Sequence, residues 1–66
     1  MRQRIIVTGM TCQNCVRHVR EAIGALPGVR SAAVDLDSGA VDFESDREVP
    51  REELASALDE AGYALA

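Results

Sequence analysis

Two cysteines, three positions apart where a strand pattern gives way to a helix pattern, constrain this chain more than any other feature. The stretch Gly9-Met10-Thr11-Cys12-Gln13-Asn14-Cys15 contains every cysteine in the sequence. The β-favouring run Ile5-Ile6-Val7-Thr8 leads into it, and the helically spaced Val16, Val19, Ile23 and Leu26 lead out of it. The two sulfurs therefore belong to a tight loop that opens a helix, with Thr11 predicted as its N-cap. Orphan N–H groups and the positive end of the helix dipole favour anions at such a place. A thiolate is an anion, so its pKa is expected to fall there. Two soft thiolates held close together suit a soft, low-coordinate ion such as Cu(I).

The 66 residues are expected to form one domain, 1–66. A chain of this size buries only about 60% of its unfolded surface. The cysteines are too close in sequence to staple anything. With no Trp, one Phe and one Tyr, the core must be built from Val, Ile, Leu and Ala.

A net charge of −4 argues against nucleic acid, which needs a basic patch. The charge is uneven. Residues 1–33 carry Arg2, Arg4, Arg17, Arg20 and Arg30 against Glu21 alone, whereas residues 34–66 carry Arg47 and Arg51 against ten acids. The basic half is the half with the cysteines, although a solvated face explains most such asymmetries. No segment reaches the roughly 20 apolar residues of a membrane span, and the basic start has too short an apolar run for a secretory signal. Free thiols need a reducing compartment, so the chain is expected in the cytoplasm. It begins with Met1 and carries no tag, and is read as a complete small protein.

The pattern along the chain predicts six elements. Residues 3–8 form a strand with Ile5 and Val7 on one face. Gly9 breaks it, and a helix runs from about 13 to 26 until Pro27-Gly28 stops it. Val29 to Leu36 form a second strand with Ala32, Val34 and Leu36 inward, and Asp37-Ser38-Gly39 is a hairpin turn. Val41 and Phe43 face inward on a third strand, and residues 45–49 form an acidic loop. Pro50 suits the first position of a second helix, with Glu52 and Glu53 in its first turn and Leu54, Leu58 and Ala61 as its apolar stripe. Gly62 ends that helix, and Tyr63 to Ala66 make a short last strand. The order βαββαβ is that of the α+β ferredoxin-like fold: a four-stranded antiparallel sheet with both helices on one face.

A Cys-x-x-Cys pair admits several chemistries. A structural zinc site needs four ligands, and Cys12, Cys15 and His18 are at most three. A thioredoxin-type redox couple is the next reading, but the chain is short for that fold. A disulfide closing so small a loop would stabilise little. Metal binding leads, and two thiolates without further ligands favour the near-linear coordination that Cu(I) accepts and Zn(II) does not. An exposed pair also lets a third thiolate approach, so that the ion passes to another protein without release to water.

These residues resemble the metal loop of heavy-metal-associated domains, which include small copper chaperones and the amino-terminal domains of copper-pumping P-type ATPases. The likeness extends through Leu26-Pro27-Gly28-Val29, Val34-Asp35-Leu36, Gly39 and Ala61-Gly62-Tyr63. It implies a ferredoxin-like fold and Cu(I) binding by Cys12 and Cys15. Mercury- and zinc-handling relatives share the fold, but Gly-Met-Thr-Cys with no acid beside the cysteines looks more like the copper branch, and closest to the small bacterial chaperones. The resemblance also implies a copper-transporting ATPase as partner. The sequence shows no general base or substrate pocket, so no enzymatic activity is expected, and exposed thiolates from two chains sharing Cu(I) make a metal-bridged homodimer an accessible form. An excised pump domain, a redox protein, or a carrier of Hg, Zn or Cd remain as alternatives.

Five further residues carry expectations. Tyr63 either packs the last strand or shields and hydrogen-bonds the thiolates; in bacterial copper chaperones a tyrosine in this loop lies near the metal. Met10 is a core residue beneath the loop rather than a ligand. His18, one turn beyond Cys15, is a solvated histidine or an occasional extra ligand or dimer contact. Arg17 and Arg20, on the outer side of the first helix, are expected to dock against an acidic patch of the receiving domain.

Overall fold

The computed structural model describes all residues, 1–66. Six elements follow in order: β1 (Arg2–Thr8), α1 (Gln13–Gly24), β2 (Val29–Val34), β3 (Ala40–Ser45), α2 (Arg51–Ala61) and β4 (Ala64–Leu65). The sheet order is β2-β3-β1-β4, and every neighbouring pair is antiparallel. The two outer positions of each half are joined through the middle, so β1 and β3 lie at the centre. This is the ferredoxin-like arrangement expected from the sequence.

Alternation along the strands sets the core. Ile5 and Val7 of β1 and Val41 and Phe43 of β3 are buried in one cluster with Val19 and Ile23 of α1 and Leu54 and Leu58 of α2. Ile5 lies opposite Val41 in the ladder, so the two stack on the same face. Because inward strand residues and both helices share this cluster, both helices cover the same side of the sheet. Arg4, Ile6 and Thr8 point the other way and are exposed.

Several boundaries differ from expectation, each for a local reason. Thr11 is not the N-cap of α1. Cys12 occupies that position in extended backbone, without a side-chain cap, while the Thr11 hydroxyl lies 3.7 Å from the Cys15 sulfur. The helix α1 ends at Gly24, two residues early. Leu26 precedes Pro27, which disfavours helical backbone there, and its N–H instead closes a tight turn onto Ile23 at 3.1 Å. Leu26 still packs against the core. Strand β2 stops at Val34 and Leu36 falls in the turn. Asp35 folds that turn through its side chain, which accepts from the Asp37 N–H at 3.0 Å. Pro50 is the cap of α2 rather than its first helical residue, in extended backbone with ψ 146.

The acidic loop contains a core residue. Val49 is only 1% exposed. The side chain of Gln3 reaches this loop, donating to the Val49 carbonyl at 3.2 Å and accepting from its N–H at 2.8 Å. Ser45, also assigned to the loop, is the buried last residue of β3, and its hydroxyl donates to the Arg47 carbonyl. Arg47 in turn donates to the Pro27 carbonyl at 2.8 Å and pairs with Glu53. That end of the molecule is thus held by polar links, away from the cysteine loop.

Candidate metal centre

Strand β1 delivers the chain to Gly9 at the edge of the helix layer. Gly9 takes φ +94, backbone that a residue with a side chain rarely adopts. The chain then crosses Met10 and Thr11 and enters α1 at Cys12. The first helical hydrogen bond runs from the Val16 N–H to the Cys12 carbonyl at 3.2 Å. The first turn of α1 carries no acidic residue, so no carboxylate competes there for the exposed N–H groups.

Both cysteines are free. Cys12 is exposed and Cys15 half-buried. Their sulfurs lie 3.7 Å apart. Two sulfurs at metal–sulfur bonds of about 2.3 Å each could share one ion in a bent arrangement. Straightening it would ask for a separation of about 4.6 Å, a change within reach of side-chain rotation at an exposed loop.

The electrostatics of the pair are uneven. Hydrogen bonding from the Tyr63 phenol, reinforced by main-chain and hydroxyl hydrogen bonds from Thr11, lowers the Cys15 thiol from 9.0 to about 6. The same contact raises the Tyr63 phenol from 10.0 to about 12, with partial desolvation and the negative sulfurs adding to the effect. At neutral pH Cys15 is therefore mainly a thiolate and Tyr63 a hydrogen-bond donor. Tyr63 packs against the core and over Gly9, with its Cδ1 3.6 Å from where a Cβ on that glycine would sit. It thus packs against the core and stands near enough to the thiolate to stabilise its charge.

Met10 is half-buried against the core, as expected. His18 is exposed, and no group of three or more His, Cys, Asp or Glu side chains converges on a possible metal position. The structure therefore brings together Cys12, Cys15, Thr11 and Tyr63, and leaves His18 outside. The role of Thr11 as a sulfur partner was missed. The signal was its position four residues before Cys15, but the helix-capping habit of threonine pointed elsewhere.

The heavy-metal-associated domain family matches residues 4–64. The chain belongs to this family. The domain is 40% identical over 62 residues to the copper chaperone CopZ of Bacillus subtilis, covering 91% of this chain and 88% of that protein. It is 43% identical over 58 residues to copper-transporting ATPase 2 of Rhizobium meliloti, covering 88% of this chain. Its fold superposes on a solved CopZ metallochaperone with a TM-score of 0.89 at 30% identity, covering 100% of both chains. The chain spans only a small share of its longer relatives, 7% of that ATPase and 11% of a mercuric reductase of Acidithiobacillus ferrooxidans. No helix in the chain is long and apolar enough to cross a membrane.

Proposed function

We propose that residues 1–66 form one cytoplasmic copper-chaperone domain in which Cys12 and Cys15 bind Cu(I) as thiolates. The domain is a carrier and not an enzyme, and it hands its cargo to a copper-transporting P-type ATPase. The observation that carries this reading is the pair of free sulfurs 3.7 Å apart where a loop opens α1, with no third ligand beside them. Two soft donors and an open side suit Cu(I) and leave a four-coordinate Zn(II) site incomplete.

Transfer proceeds by ligand exchange. A thiolate of the receiving domain forms a bond to the ion, a bond to one of the two cysteines breaks, and the ion stays Cu(I) throughout. Cys12 is the more exposed sulfur and is released first. Cys15, supported by Tyr63 and Thr11, holds the ion longer. Arg17 and Arg20 are exposed on α1 and steer the domain toward an acidic partner surface.

A second reading keeps the chemistry and changes the context. The similarity to short stretches of an ATPase and of a mercuric reductase favours a domain that serves as part of a larger metal-handling protein.

An anaerobic competition titration tests the main reading. Reduced protein is offered Cu(I) against a chromophoric Cu(I) chelator, with and without excess Zn(II). Tight one-to-one binding, indifferent to zinc and lost in Cys12→Ser and Cys15→Ser, is expected. Weak binding, or ready displacement by zinc, would overturn the copper assignment.

A further inference from the structure

The turn between β2 and β3 presses on β1 just before the metal loop begins. The Val7 N–H donates to the Gly39 carbonyl at 2.8 Å. Gly39 has φ +74, and a Cβ built on it would lie 2.6 Å from the Val7 carbonyl oxygen. A carbon cannot approach a main-chain oxygen so closely, so the contact requires glycine for its lack of a side chain as well as for its backbone angle.

The surroundings leave this contact little room to relax. Ile6, opposite Ala40, is the last β1 residue in the β3 ladder, so the Val7–Gly39 hydrogen bond is the final hold on that side. The turn is itself tied down, with Gly39 N–H donating to the Asp35 carbonyl at 2.8 Å and Asp35 N–H to the Ala40 carbonyl at 2.9 Å. On the other side of β1, Val7 and Thr8 pair with Leu65 and Ala64, and the Ala66 N–H donates to the Ile6 carbonyl at 2.9 Å. The end of β1 is gripped between the turn and β4. Gly9 follows two residues after Val7, and Tyr63, which covers it, stands immediately before β4.

We propose that Gly39 is a positioning residue for the metal loop, setting the end of β1 so that Gly9 lies under Tyr63 and the loop that follows it carries the two cysteines in place. The proposal rests on the reading of Cys12 and Cys15 as the metal ligands. A side chain at position 39 either drives Val7 toward β4 or breaks the Val7–Gly39 hydrogen bond. Both displace Gly9 relative to Tyr63, and with it the support of the Cys15 sulfur.

The test compares Gly39→Asn with Gly28→Asn. Asparagine tolerates left-handed backbone, so the added Cβ is the main difference between the two sites. Gly28 has φ +86, but a Cβ there meets only the Arg47 side chain, at 3.4 Å and beyond, at the opposite end of the sheet. Nuclear Overhauser contacts between the Tyr63 ring and the Gly9 α protons are measured in the metal-free, reduced protein, and Cu(I) affinity by chelator competition. Gly39→Asn is expected to weaken the contacts and to lower affinity about 10–100-fold, the usual consequence of losing support around a ligand. Gly28→Asn keeps both at the wild-type level. Equal values in the two variants would mean that Gly39 serves only its own turn, and the proposal would be wrong. Failure of the wild type to bind Cu(I) would overturn the metal reading, while the contacts in the metal-free protein would still decide the role of Gly39. Amide exchange in the wild type adds a check independent of variant folding: slow exchange of the Val7 N–H is expected, and exchange as fast as an exposed loop amide would refute the clamp.

Discussion

Cys15 and Tyr63 shift each other in opposite directions, the thiol down to about 6 and the phenol up to about 12. A hydrogen bond from a neutral phenol to a thiolate is lost if either the sulfur gains a proton or the phenol gives one up. One contact therefore secures the charge state of both partners across the neutral range.

Tyr63→Phe removes the largest of these supports. The pH dependence of Cys15 alkylation should move up from a midpoint near 6 toward the ordinary thiol range, while the fold is retained because the ring still packs over Gly9. An unchanged midpoint, read by mass spectrometry of the alkylated peptide, would assign the shift to Thr11 instead.

Acid should compete with the metal. As pH falls through about 6 the Cys15 thiolate takes a proton, and Cu(I) occupancy measured against a pH-insensitive competitor should decline over the same interval. Stability of the metal-free protein should follow a related course. The folded thiol has a pKa lowered from 9.0 to about 6, so its contribution is present above the unfolded value and is lost as pH falls through the folded one. The Tyr63 contribution has the opposite sign, present below 10.0 and lost as pH rises through about 12. Melting temperatures of the reduced protein between pH 6 and 9 should therefore rise more steeply in the wild type than in Cys15→Ser.

Leu58→Ala should remove roughly half of the domain's stability. Leu58 is completely buried at the centre of the helix layer, and such truncations cost about 2–5 kcal/mol. A chain this short has a total stability of only about 3–10 kcal/mol. A melting temperature within a few degrees of the wild type in this variant would contradict the packing described above.

Arg47→Ala separates stability from metal binding. It removes the link to Pro27 and the pairing with Glu53, both partly solvated, so a loss of about 1–2 kcal/mol is expected. That corresponds to a drop of roughly 4–8 °C in melting temperature per kcal/mol. Cu(I) affinity should be untouched, because this cluster lies at the far end of the sheet.

Reversing charge on α1 addresses docking. Arg17 is already shared with Glu21 at 3.9 Å, so Arg20 is the freer of the two. Arg17→Glu with Arg20→Glu should slow copper transfer to an acidic receiving domain about tenfold at low salt, with the difference fading as salt rises. Stopped-flow transfer rates that ignore both changes would refute the steering role.

The strands and helices were legible in the sequence because their apolar spacing is local: Ile5 with Val7, Val41 with Phe43, Leu54 with Leu58. The ends were less so. Asp35 closing its own turn, and Pro27 acting on Leu26, shortened β2 and α1 through hydrogen bonds and sterics that spacing does not record. Val49 looked like part of a charged loop, because nothing nearby in sequence reveals that Gln3 will pin its main chain.

By itself the sequence determined the βαββαβ order and the placement of both cysteines where a loop opens α1. Only the tertiary structure decided that Tyr63 packs over Gly9 beside the cysteine loop and that Gly39 abuts Val7. These are contacts between groups brought together by the sheet and the helix layer. Periodicity reports which face of an element is buried, but the partner a side chain meets depends on where the other elements pack.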